Sequence, residues 1–166
     1  MLPEGALITA YETWGGCHRE QVLQACRQGV NVMTWFALSL SSTKAPNGTL
    51  VPSFGGTLPD MDCVANVSAT LKAENLPTTH LISFGGWDAP HPDVTFTGAQ
   101  WHEEWVRWNI AVAARPKLGF MGFDGFDWDI EGTDSATDKR ESTVTLPLLH
   151  LVGNMSKAAR QEVLSP

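Results

Sequence analysis

The sequence predicts an α/β protein, a parallel sheet covered by helices, and three observations lead there. Apolar runs rich in β-branched and aromatic residues alternate with stretches of helical periodicity, in the order βαβαβαβα. Loops bearing glycine or proline end the runs, and there are no short repeats. The chain has 166 residues, 43% of them hydrophobic and 17% charged, which suits one globular unit with an ordinary core. Right-handed crossovers would coil the four βα units in one direction.

The first run, Ala6 to Ala10 with Tyr11, ends in Thr13-Trp14-Gly15-Gly16 and reads as a strand. A helical pattern through Val22, Ala25 and Cys26 follows and stops at Gly29. The second run, Val30 to Leu40, leads into a long polar loop containing Pro46-Asn47-Gly48 and Gly55-Gly56. Asp60 then caps a helix that carries Val64, Val67 and Leu71 on one face and ends before Pro77. His80-Leu81-Ile82-Ser83-Phe84 is the third strand, closed by Gly85-Gly86-Trp87 and a proline-rich loop. Trp101, Trp105 and Trp108 recur at i, i+4 and i+7 and continue to Val112, an inward stripe on a helix reaching Arg115-Pro116. Phe120 to Glu131 reads as the fourth strand. Thr145 caps a last helix, with Pro147 in its tolerant first turn and an apolar face at Leu148, Leu149, Val152 and Met155. Glu162-Val163-Leu164-Ser165-Pro166 reads as the beginning of another strand. Four parallel strands leave two unpaired edges, which are costly in water unless further sequence or another copy covers them, so self-association through open sheet edges is one expectation.

The most informative segment is Phe126-Asp127-Trp128-Asp129-Ile130-Glu131, where acids alternate with large apolar residues. Successive side chains on a strand point to opposite faces, so the three carboxylates line one face while Phe126, Trp128 and Ile130 pack on the other. Like charges at adjacent same-face positions repel, and burial disfavours ionisation further, so at least one carboxyl is expected to hold its proton near neutral pH. A general acid requires this. Glu131 stands where the apolar run gives way to Gly132-Thr133-Asp134-Ser135, at the carboxyl end of the strand, where open α/β sheets place their chemistry. Two other readings compete. A hard-metal site would use clustered acids, but the segment lacks the Asn, Gly and carbonyl-rich pattern of a calcium loop. A solvated acidic edge would not need the interleaved Phe, Trp and Ile.

A net charge of −7 argues against nucleic acid and anionic membrane surfaces, which are held by an excess of Lys and Arg. No apolar run reaches membrane-spanning length, and Met1-Leu2-Pro3-Glu4-Gly5 lacks the start of a signal peptide. Seven Trp against one Tyr is an unusual balance, since an indole in a cleft offers a flat apolar face to a sugar ring. None of the five His has metal-ligand spacing, and no metal or cofactor is expected. Cys17, Cys26 and Cys63 form no CxxC and cannot all pair within one chain, which leaves the redox compartment open. Asn47-Gly48-Thr49, Asn66-Val67-Ser68 and Asn154-Met155-Ser156 fit the glycosylation acceptor pattern.

Asp124-Gly125-Phe126-Asp127-Trp128-Asp129-Ile130-Glu131 resembles the DGxDxDxE signature of glycoside hydrolase family 18, the chitinase-like enzymes. Ser83-Phe84-Gly85-Gly86 resembles that family's SxGG signature on the preceding strand. The resemblance spans residues 1–166 and implies a (β/α) barrel of TIM type, of which about the first four βα units are present, ending near the start of strand five. It implies a glycosidase that cleaves β-1,4 links in chitin or N-acetylglucosamine oligosaccharides with retention, the substrate's own acetamido group serving as nucleophile in place of a second carboxylate. Glu131 would then protonate the leaving oxygen and act as general acid/base. Asp129 would orient the acetamido group and balance the developing positive charge. Asp127 would share a proton with Asp129.

On the same resemblance Ser83 would bond Asp127, while Gly85 and Gly86 would leave room for sugar, although a plain turn explains glycines equally well. Asp124, out of phase, would be structural. Trp87 and Trp14, each just after a strand end, are candidate sugar platforms, with burial in the core as the other reading of both. The family also uses a Tyr on a later strand and a Trp on the last one, so these residues alone are not expected to complete a site. An incomplete piece of an active chitinase, a non-hydrolytic carbohydrate-binding protein and a self-associating half-barrel are the alternatives. The resemblance favours an extracellular setting.

Overall fold

The computed structural model describes residues 5–13, 15–87, 89–132 and 144–164, with residues 162–164 described by backbone alone. Nine main elements follow one another: β1 (Thr9–Tyr11), α1 (Arg19–Arg27), β2 (Val32–Lys44), β3 (Leu50–Gly55), α2 (Met61–Ala73), β4 (Thr79–Gly85), α3 (Gly98–Trp108), β5 (Gly125–Asp129) and α4 (Leu146–Leu164). This is a mixed α/β fold with a parallel sheet and helices. The strand order is β1-β2-β4-β5, with β3 added to β2. β1 lies parallel to β2 with Thr9 opposite Val32, and the helix between them supplies the crossover that parallel pairing demands.

The chain divides into two compact units. The first comprises residues 1–37, 57–83 and 109–127. Its core is built from Val22, Leu23 and Cys26 of α1, Val64, Ala65, Val67 and Leu71 of α2, and Val32, Met33, Trp35 and Ile82 from the strands, all buried. Asp60 begins α2 as expected, its carboxylate accepting from the backbone of Asp62 at 3.0 Å and Cys63 at 3.2 Å. Cys17 and Cys63 form a disulfide, which ties the segment before α1 to the first turn of α2, and Cys26 is a buried free thiol. The pairing was open in the sequence.

The second unit comprises residues 38–56, 84–108 and 128–166. Phe54 is its aromatic centre, with the rings of Phe84, Trp101 and Trp108 at 5.1, 5.6 and 6.4 Å. The Trp stripe of α3 is buried, as its periodicity predicts. α3 packs on α4 where Gly98 meets the backbone at Asn154 and Met155, an approach no larger residue allows.

Five expectations are corrected. The polar stretch after Leu40 is not a loop: β2 continues to Lys44 and pairs antiparallel with β3, from Ser39 opposite Gly55 to Lys44 opposite Leu50. Ladder hydrogen bonds are made by the backbone, so a Ser- and Thr-rich hairpin facing water needs no apolar run. β5 begins at Gly125 rather than Phe120, because the backbone of Phe120 bridges Arg115 and that of Phe123 is held by the Asn109 side chain, and it ends at Asp129, two residues before Glu131. Val112 is 40% exposed because α3 passes into a π turn over Asn109–Ala113, which rotates the stripe away. On α4 the buried residues are Leu148, Leu151 and Met155, while Leu149 is 53% exposed. The expected start of a fifth strand is instead helix, since α4 runs through Leu164. The rest of that expectation, Ser165-Pro166, and the polar segment 133–143 lie outside the described residues.

Candidate functional site

In the first unit Asp127 lies on β5. β4 and β5 are neighbours in the sheet, and the fully buried Ser83 donates its hydroxyl hydrogen bond to Asp127 Oδ2 at 3.1 Å. That contact is the one expected of the two signatures. Tyr11, at the end of β1, adds a longer contact from its hydroxyl to the same oxygen at 3.4 Å. Its ring stands edge-on to Phe36 at 5.9 Å. Asp127 therefore has two hydroxyls converging on one oxygen, an arrangement that fixes a carboxylate's orientation. Asp124 does not join it. Its carboxylate accepts from His80 N at 2.8 Å and its own N–H donates to His80 O at 2.9 Å, a structural clamp at the start of the strand.

In the second unit Gly86 N–H donates to the carbonyl of Asp129 at 2.8 Å. Gly85 has φ +115°, and a Cβ there would run into the same Asp129 carbonyl. Gly85 is thus required by the close approach of two backbones, and Gly86 by its own positive φ of +106°. Trp128, on the opposite face from the acids, stands edge-on to Phe84 at 5.3 Å and donates its indole N–H to Ser156 on α4 at 3.0 Å. That is the packing the alternation predicts. The carbonyl of Glu131 accepts from His91 Nε2 at 2.8 Å, so that nitrogen carries the ring proton. Asp127, Asp129 and Glu131 are half-buried rather than buried. The expectation of a buried acidic row is corrected to that extent, because β5 is too short to be covered along its length. Trp87 is 68% exposed, so the core reading does not hold for it. Trp14 lies outside the described residues.

Sequence reasoning missed a second polar knot, in the first unit after β1. Glu12 is only 7% exposed and accepts from Thr13 N at 2.9 Å, Thr13 Oγ1 at 3.2 Å, His18 N at 3.3 Å and His18 Nδ1 at 2.8 Å. Burial pushes its carboxyl up, but these donors together outweigh it and hold the pKa below the usual value. Tyr11 and His91 were missed as well. The one signal for Tyr11 was its place at the end of a strand, as the chain's single Tyr.

A cavity of about 820 Å³ in the first unit is lined by Leu71, Leu76, Phe120, Met121, His80 and Asp124, and it does not include Ser83 or Asp127. Among the described residues no group of three or more His, Cys, Asp or Glu is clustered for a metal ion, and no helix is long and apolar enough to cross a membrane. Comparison with protein-family models, with curated proteins and with solved structures finds no significant match for this chain.

Proposed function

We propose that this chain carries the acid row of a chitinase-like glycosidase of the family 18 type, acting on β-1,4-linked N-acetylglucosamine in chitin or its oligosaccharides, and that its parallel sheet is part of a (β/α) barrel of TIM type. Glu131 gives its proton to the leaving glycosidic oxygen. The acetamido carbonyl of the sugar attacks the anomeric carbon, and configuration is retained after water opens the intermediate. Asp129 orients the acetamido group, and Asp127 shares a proton with it. The observation that carries this reading is the alternation of three carboxylates with large apolar residues along β5 and the two residues that follow it, the first acid tied to the Ser83 hydroxyl.

The 68% exposure of Trp87 favours a second reading, a carbohydrate-binding protein that does not hydrolyse. Leu7 and Ile8, each 50% exposed beside the outermost strand β1, would on that reading serve self-association along the sheet edge. One experiment separates the two. The full chain is incubated with chitotetraose, with products read by mass spectrometry and binding by titration calorimetry. The glycosidase reading expects shorter oligosaccharides from the parent and a loss of roughly 10²- to 10⁴-fold in turnover for Glu131→Gln, with heat of binding retained. Cleavage by Glu131→Gln at the parent rate would remove Glu131 from the mechanism. Binding heat without cleavage by the parent would favour the second reading.

A further inference from the structure

We propose that Asn47, at the apex of the β2–β3 hairpin, is a site of N-linked glycosylation in a chain that folds in an oxidising, secretory compartment. Two independent observations carry this. The first is the Cys17–Cys63 disulfide, whose Cα atoms lie 6.2 Å apart, within the span a disulfide bridges. Such bonds persist in secreted and lumenal proteins and are rare where glutathione and thioredoxin keep thiols reduced. The second is local geometry, which sorts three acceptor tripeptides that the sequence alone could not rank.

Asn47-Gly48-Thr49 occupies a tight turn closed by Gly48 N to Ala45 O and by Ala45 N to Thr49 O, both at 2.8 Å. Asn47 and Thr49 are both exposed, and Gly48 takes the positive φ, +83°, that the turn needs. Thr49 N–H donates to Asn47 Oδ1 at 3.0 Å, which folds the amide back over the third residue of the tripeptide and leaves Nδ2 toward water. The other two tripeptides lie within helices. Residues i and i+2 of a helix do not face one another, so amide and hydroxyl are held apart. Asn66 commits its Nδ2 to Asp62 O at 2.8 Å inside α2, beside the fully buried Val67. Asn154 stands where α4 meets Gly98, beside the fully buried Met155. A glycan at Asn47 displaces nothing.

The donor is a lipid-linked oligosaccharide diphosphate. A bond forms between Asn47 Nδ2 and the anomeric carbon of the first sugar, the bond from that carbon to the phosphate oxygen breaks, the lipid diphosphate departs with the electron pair, and one amide proton is lost to base. No oxidation or reduction occurs.

The test uses the full chain expressed behind a cleavable secretion signal in a eukaryotic cell line. Intracellular and secreted pools are both digested with peptide N-glycanase in ¹⁸O water, and peptides are read by mass spectrometry. Conversion of Asn47 to ¹⁸O-labelled Asp is expected, as is complete loss of one glycan's gel shift in both Asn47→Gln and Thr49→Ala. Because glycan transfer is read in the intracellular pool too, a variant that folds poorly still reports. Unlabelled Asn47 in a chain whose Cys17 and Cys63 resist alkylation overturns the site. Free thiols at both cysteines in the secreted chain overturn the assignment to an oxidising compartment.

Discussion

At His80 the fold withdraws an imidazole from water at the start of β4 and leaves it 3% exposed. Burial lowers its pKa to about 4, with the Asp124 carboxylate opposing the shift only in part. The neutral ring is the one the neighbours suit, since Trp35 Nε1–H donates to His80 Nδ1 at 3.2 Å, and that nitrogen must therefore be unprotonated. Between pH 6.5 and 4 the unfolded chain binds a proton at this position that the folded chain refuses. Stability therefore rises with pH across that window: it is complete above the unfolded value and is lost as pH falls towards the folded one. The loss from this one group is about 3 kcal/mol. Urea midpoints at pH 7 and 4.5 are expected to separate more widely for the parent than for His80→Gln, whose amide can still accept from Trp35 but does not titrate. An equal separation in both would assign the acid sensitivity to other groups.

At the scale of elements, the π turn after α3 sets where β5 begins. Its extra residue turns Asn109 inward, where the amide donates to Phe123 O at 2.9 Å and accepts from Phe123 N at 2.8 Å, with Gly122 so close that a Cβ there would lie 2.7 Å from Asn109 Oδ1. Asn109→Ala removes both hydrogen bonds to the buried Phe123 backbone and should cost about 2–4 kcal/mol in chemical denaturation. Retained stability would mean that water or a shifted backbone satisfies Phe123. This clamp also explains a limit of sequence reading. The caps at Asp60 and Thr145, the Trp stripe and the alternation of β5 are local patterns, and the fold follows them. The start of β5 depends on a side chain that holds Phe123 from 14 residues earlier, and the β2–β3 hairpin on backbone pairing that composition conceals. The candidate site divides in the same way. Ser83 and Asp127 lie on neighbouring strands and each stands in its own motif, so their contact was legible. Tyr11 reaches Asp127 across 116 residues of sequence, and Glu12 meets His18 through a loop with no motif of its own.

At the scale of the whole molecule, the disulfide acts mainly on the unfolded chain. Bridging Cys17 and Cys63, 46 residues apart, removes the conformations in which those segments wander independently. The loop-entropy relation gives about 4 kcal/mol for a loop of that size. Domains of this length are stable by only about 5–15 kcal/mol, so the bridge accounts for a large part of the margin. The bridged residues are already positioned by other contacts: the segment before α1 by the Glu12–His18 knot, and the start of α2 by the Asp60 cap. A chain without the bridge should therefore reach the same fold and hold it less firmly. The double substitution Cys17→Ser with Cys63→Ser is expected to lower unfolding free energy by about 4 kcal/mol, measured by urea titration, while its circular dichroism matches the parent. Reducing agent should lower the parent by the same amount and leave the double variant unchanged, since the one remaining thiol, Cys26, is buried and unbridged. A double variant that loses its native spectrum altogether would show that the bridge shapes the folded state itself, and that the knot and the cap cannot hold the loop without it.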